Sequence, residues 1–211
     1  AAVPRLPRGP LPLPPVWAGL SMALLLALSA TSFATYGPLL LQPLHGLSPL
    51  EFGYITALES VAWSVTALVV ARLHPRHEPR CLRWGPVTIV AGILLLGLAM
   101  PGGPLWLVIL AAALQGGGFG ICSAIATRRV VAAALPAERE RAAGALPTLQ
   151  MLGYALGAAA AGIVANGLGF AGPGGGVAPD RATLQVVATW VFLAFLPVGL
   201  LGTVAAWRLS R

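Results

Sequence analysis

The 211-residue chain has no lysine and only six acidic residues. Charged residues make up 9% of it, against about 25% in an ordinary soluble domain. That shortage excludes a water-facing globule, because there is too little polar surface to coat one. Cysteine is scarce, at two residues: Cys81 falls in a predicted loop and Cys122 inside an apolar run. Neither place suggests a disulfide, no metal-ligand spacing surrounds them, and Cys122 reads as a small packing residue. His45, His74 and His77 are scattered, and none lies inside an apolar run. An intramembrane serine protease would need a Gly-x-Ser-Gly segment and a histidine in a later span. Ser123 has neither. A metalloprotease would need His-Glu-x-x-His, which is absent. No nucleophile–base pair survives, so no enzymatic activity, cofactor or metal is expected. The strand alternation of a membrane barrel is missing too.

What the chain does have is long apolar runs. It is 57% hydrophobic, with mean hydropathy +0.84. A helix needs about 20 apolar residues to cross the hydrocarbon core. Backbone groups in lipid must be satisfied internally, so such runs mean helices. Six are expected, over roughly 16–42, 48–72, 84–100, 104–127, 143–169 and 183–207. The fold class is an all-α membrane protein, with a domain over 16–211 and a Pro-rich leader or linker over 1–15. A secretory signal peptide fits poorly, since the first run continues to Leu41 behind a proline-rich flank. Pro38, after Gly37, predicts a kink near the outer end of span one, and Pro43–Leu47 a turn. Ser48, Pro49 and Glu51 form a capping box with proline at the favoured first position of span two. Residues 171–180 read as a Gly/Pro turn region, with Asp180 and Arg181 capping or orienting span six.

The arginines fall almost entirely into alternate gaps. Arg5 and Arg8 precede span one. Arg72, Arg76, Arg80 and Arg83 lie between spans two and three, and Arg128, Arg129, Arg139 and Arg141 between spans four and five. Arg208 and Arg211 follow span six. Those are twelve on one side, against Arg181 alone on the other. By the positive-inside rule both termini are cytoplasmic, in a multi-pass protein of the inner (plasma) membrane. Six spans and like-sided ends agree with each other. Trp17, Trp84, Trp207 and Trp106 fall at span ends, as interfacial anchors would. The net charge of +7 does not indicate nucleic acid, because the arginines form no continuous face. The charged loops read as orientation signals, with local ion pairs of small value among Glu138, Arg139, Glu140 and Arg141.

Glu59 is the sharpest single residue. It sits near the middle of span two, where a charged group costs roughly 2.5–3.5 kcal/mol on insertion scales. A carboxyl there is neutral in a dry state and ionised in a wet one, which is what proton coupling requires. Thr56, Glu59, Trp63 and Thr66 follow spacings of three, four and three, so they share a face that should point away from lipid. Ser60 and Ser64 flank it. The alternative role is a protonated glutamate hydrogen-bonded to a neighbouring helix. In span one, Ser29, Ser32 and Tyr36 share a face with Thr31 and Thr35 beside them; Tyr36 is the best candidate, and the hydroxyls otherwise bond their own helix. Gly116, Gly117, Gly118 and Gly120, and Gly153, Gly157, Ala161 and Gly162, read as smooth faces for close helix packing. Gln115, Gln150, Tyr154 and Asn166 are the remaining polar groups near the bundle interior.

Two segments carry a family resemblance. Tyr36-Gly-Pro-Leu-Leu-Leu-Gln42 with His45-Gly-Leu-Ser-Pro-Leu-Glu51-Phe-Gly53 resembles the first two helices of the C-terminal half of a major facilitator superfamily transporter. Pro136-Ala-Glu-Arg-Glu-Arg-Ala-Ala-Gly144, continuing to Gly153 and Gly157, resembles that superfamily's entry to its eleventh helix. A degenerate copy of the family's cytoplasmic loop motif is present over Ala67–Arg76: Arg72 and Arg76 match, while Ala67 and His74 replace two glycines and Ala71 replaces the aspartate of its charge latch. The resemblance implies two three-helix inverted repeats, with spans one, two, four and five lining a path and spans three and six outside. It implies secondary transport of a small-molecule substrate, most like proton-coupled efflux. It also implies a missing N-terminal half, or a second copy, as partner within the lipid bilayer. A non-transporting truncated membrane protein or assembly partner is the alternative.

Overall fold

A computed structural model describes residues 15–171 and 179–211. The leader, except for Pro15, and most of the Gly/Pro turn region lie outside the described residues. The remainder is helical: α1 Pro15–His45, α2 Pro49–Ala71, α3 Glu78–Ala99, α4 Leu105–Ala133, α5 Arg139–Gly167, α6 Arg181–Leu193 and α7 Leu196–Leu209. Short 3-10 turns, Pro75–His77 and Pro136–Glu138, lead into α3 and α5. Helices α6 and α7 together make the last of six segments long and apolar enough to cross a membrane.

The helix ends depart from expectation in one consistent way. Helix α3 starts at Glu78 and not near 84, α4 runs to Ala133 and not 127, and α5 starts at Arg139 and not 143. Most of both arginine-bearing loops is therefore helical. Hydropathy marks where lipid begins, whereas backbone hydrogen bonding continues into water wherever good helix formers such as Ala, Arg and Glu continue. At the other end, α1 runs unbroken through Pro38 and Pro43 to His45, so the expected Pro43–Leu47 turn shrinks to three residues. The capping box is formed: the Glu51 amide donates to Ser48 Oγ at 3.3 Å and the Ser48 amide to Glu51 Oε2 at 2.7 Å. Asp180 caps α6, its Oδ1 accepting from the Thr183 amide at 2.9 Å.

One break was not anticipated. Pro197 cannot donate to the carbonyl four residues back, and its ring crowds that carbonyl. The carbonyl belongs to Leu193, the last residue of α6, and Ala194 and Phe195 form the interruption before α7.

Two pairings organise the bundle: α2 packs on α4, and α5 packs on α1. Helix α3 lies against α4, and α6 and α7 lie against α1 and α3. The core runs between α1, α3 and α4, through Leu26, Phe33, Leu40, Ile89, Ile93, Leu96 and Ile125. Only 11% of the α2 apolar window and 22% of that of α5 is buried, against 61% for α1, so α2 and α5 form the bundle's bare side.

Both pairings are glycine contacts. A Cβ at Gly116 or Gly120 would run into the backbone of Glu59 or Trp63, and one at Gly153 or Gly157 into the backbone of Leu24 or Leu28. In each pair two glycines four apart receive two residues four apart on the facing helix. Without side chains between them, the backbones approach closely enough to bring the Gly117 carbonyl on α4 within 3.0 Å of Thr66 Oγ1 on α2, whose single proton is shared with the α2 carbonyls of Ala62 at 2.8 Å and Trp63 at 3.0 Å.

Candidate functional site

The close seating of α2 on α4 brings Glu59 and Trp63, one turn apart, to a cavity of about 250 Å³. Thr31, Ala30 and Ala34 of α1, Phe119 of α4 and Tyr154 of α5 complete its lining. The four helices named as lining helices all contribute. Trp63 stacks on Phe119, ring centroids 5.3 Å apart and planes 12° from parallel. This stack forms an apolar wall beside the single carboxylate. Among the described residues, no side chain or backbone group hydrogen-bonds or ion-pairs with the Glu59 carboxylate. Its neighbour from α4 is a glycine, which supplies no donor. The carboxyl borders the cavity, and among the described residues it has no hydrogen-bond or ion-pair partner.

A second cavity of about 300 Å³ lies between α1, α4 and α5, lined by Met22, Leu26, Phe119, Ser123, Thr127, Gln150 and neighbours. Phe119 borders both spaces. Gln150 lines the second cavity and donates from Nε2 to Tyr154 Oη, which lines the first, at 3.0 Å. The Gln150–Tyr154 pair and the Phe119 ring thus stand between the two cavities.

Four of the expected residues are brought together here: Glu59, Trp63, Tyr154 and Gln150. The others are not. Thr56 bonds its own helix at the Gly53 carbonyl, 2.9 Å away. Tyr36 is buried edge-on against Phe170, centroids 5.4 Å apart. Asn166 is exposed near the end of α5. Gln115 is fully buried on the α3 side of α4, against Gly92, and its Oε1 has no partner. The span-one face also shifts by one residue: Thr31 and Ala34 line the cavity, while Ser29 and Ser32 are buried away from it. Helical spacing shows which residues share a face but not which face meets the cavity. Phe119 was missed. Its signal was available, as the lone aromatic within the Gly116–Gly120 run.

The loop arginines behave differently from the motif. Arg72 caps α2 through its backbone, and Arg76 donates from Nε to His77 Nε2 at 3.1 Å. No ion pairs form among Glu138, Arg139, Glu140 and Arg141 in the described residues. Instead Glu78, at the start of α3, meets Arg128 at 2.9 Å and Arg129 at 3.7 Å, tying α3 to the end of α4. Among the described residues no cluster of His, Cys, Asp and Glu could hold a metal.

The family model described as Major Facilitator Superfamily matches residues 20–211. A curated relative, "Probable multidrug-efflux transporter Rv1634" of Mycobacterium tuberculosis (strain ATCC 25618 / H37Rv), is 28% identical over 201 residues. Its counterpart in strain CDC 1551 / Oshkosh, "Probable multidrug-efflux transporter MT1670", aligns equally well. Each alignment covers 92% of this chain but 40% of the relative, so the chain spans about two fifths of the length of these relatives.

Proposed function

This chain belongs to the major facilitator superfamily, and on that premise we propose that it is the C-terminal half of a proton-coupled secondary transporter that exports a small solute. The observation that carries the reading is the unpartnered Glu59 carboxyl in a cavity walled by Trp63, Phe119 and Tyr154. A charged group at a helix centre costs roughly 2.5–3.5 kcal/mol on insertion scales. While the cavity is closed and dry, Glu59 holds a proton; when water enters, the proton leaves. Apolar solute surface sits against the Trp63–Phe119 stack, and Gln150 and Tyr154 supply hydrogen bonds along the way to the second cavity. The multidrug-efflux names of the relatives support export as the direction.

Alternating access needs two bodies that rock against each other. The bare side formed by α2 and α5 is where the other body, an N-terminal half or a second copy, would sit. The arginine asymmetry supports cytoplasmic termini in the plasma membrane. The test is Glu59→Gln in the full-length transporter, reconstituted in vesicles with an imposed pH gradient. The substitution keeps the side chain's size and removes its titration. Gradient-driven transport is expected to stop while exchange of solute across equal pH continues. Unchanged proton coupling would remove Glu59 from the mechanism.

A further inference from the structure

A further cavity lies away from Glu59. It occupies about 480 Å³ between α3 and α7 at the arginine-rich end and is lined by Arg83, Trp84, Trp207 and Arg211. None of these residues borders the Glu59 cavity. We propose that this groove binds an anionic phospholipid, with Arg83 and Arg211 on the headgroup phosphate and Trp84 and Trp207 flanking the glycerol and upper acyl chains.

Three observations support it. First, the groove is built. Trp207 Nε1 donates to the Arg83 carbonyl at 3.1 Å, and Arg83 Nε donates to Ser210 Oγ at 3.1 Å. The first bond ties α7 to the α3 backbone, and the second holds the guanidinium by Nε and leaves both its terminal nitrogens without a partner among the described residues. Second, no acidic side chain pairs with its arginines. The ion pairs among the described residues all involve Glu78, with Arg128 and Arg129, so no Asp or Glu carboxylate among them answers Arg83 or Arg211. The negative end of the α7 dipole is met by Arg129, which donates to the Leu209 carbonyl at 2.9 Å. Third, the tryptophans are exposed, Trp84 at 66% and Trp207 at 49%. A soluble phosphate has no use for two open indole rings, whereas a lipid at the hydrocarbon–headgroup boundary meets both ring and cation. Basic pockets between transmembrane helices take anionic headgroups on these grounds.

The experiment is native mass spectrometry of the full chain in detergent, titrated with phosphatidylglycerol and with phosphatidylcholine of the same acyl chains. Phosphatidylglycerol adducts are expected at lower lipid concentration. Arg211→Gln, a change at an exposed residue, is expected to weaken them about fivefold, the effect of one arginine at an anionic surface. Arg83→Gln is expected to weaken them at least as much. Arg139→Gln, an exposed arginine at the same end but outside the groove, should leave them unchanged. Equal binding of the two lipids, or an equal loss from Arg139→Gln, overturns the proposal. Competition by millimolar inorganic phosphate would mark a phosphate site and overturn the lipid assignment.

Discussion

Adding one methyl group at Gly116 tests the helix seating that builds the cavity. A Cβ there would lie 2.9 Å from the Glu59 carbonyl carbon and 2.9 Å from its Cγ, with the carbonyl oxygen closer still. Ordinary contact begins at 3.4 Å, so α2 must retreat by at least half an ångström. The atoms in the way are mostly backbone, which cannot swing aside as a side chain can. Retreat stretches the 3.0 Å bond from Thr66 Oγ1 to the Gly117 carbonyl and opens a gap along the whole pairing. An interhelical bond of this kind contributes about 0.6 kcal/mol in membranes. Overpacking a tight contact costs about 1–3 kcal/mol. Gly116→Ala is therefore expected to destabilise the bundle by about 1–3 kcal/mol. Gly53, on α2 itself, has nothing within 4 Å of the same hypothetical Cβ. There Ala should gain helix propensity, about 0.8–1.0 kcal/mol in aqueous hosts. The two substitutions are chemically identical, so the sign reversal isolates packing. Thermal unfolding of both variants in one detergent measures it. Equal shifts, or a stabilised Gly116→Ala, would refute the close α2–α4 approach.

Three further outcomes follow from named contacts. Thr66→Val keeps the shape of the side chain and removes a hydroxyl shared between its own helix and the Gly117 carbonyl; at most about 0.6 kcal/mol of stability should be lost, and a loss that persists in a Gly116→Ala background at full size would deny the coupling. Glu78→Gln removes both arginine pairs, of which Arg128 is half exposed; the cost is at most about 1 kcal/mol and should shrink as salt rises, so a salt-independent loss counts against an ionic tie. Hydrogen bonds from Thr183 hold the Asp180 carboxyl below its usual 3.8. A depressed folded value means the cap's contribution is present above that pH and is lost as pH falls through the folded value. Wild type and Asp180→Ala should thus differ in unfolding temperature at pH 6, with the gap narrowing only once pH falls below about 3.9, the unfolded value; a gap that widens in acid would contradict this sign.

The chain's own pattern carried the architecture a long way. Six apolar runs with arginines in alternate gaps require six helices, because lipid leaves the backbone no other partner. The capping box at Ser48 and the Asp180 cap were readable because capping depends on neighbours within one turn. Helix ends near the arginines were not, since hydropathy reports the lipid boundary and not the last backbone hydrogen bond. The break at Ala194–Phe195 was within reach, because Pro197 acts locally.

The site divides along the same line. Glu59 stood out from the sequence because a lone carboxyl in an apolar run is costly wherever the helix packs. Its partners depended on rotation and crossing of separate helices. Spacing alone placed Ser29, Ser32 and Tyr36 together but could not say that Thr31 and Ala34 meet the cavity. Nor could it put Gln115 against Gly92 of α3, or choose Phe119 as the ring on which Trp63 stacks. The membrane-spanning helices, their number and the depth of one acid were readable from the order of residues, since each follows from the cost of polarity in hydrocarbon. Which side chains surround that acid came from the packing, because glycine contacts between helices distant in sequence set the distances.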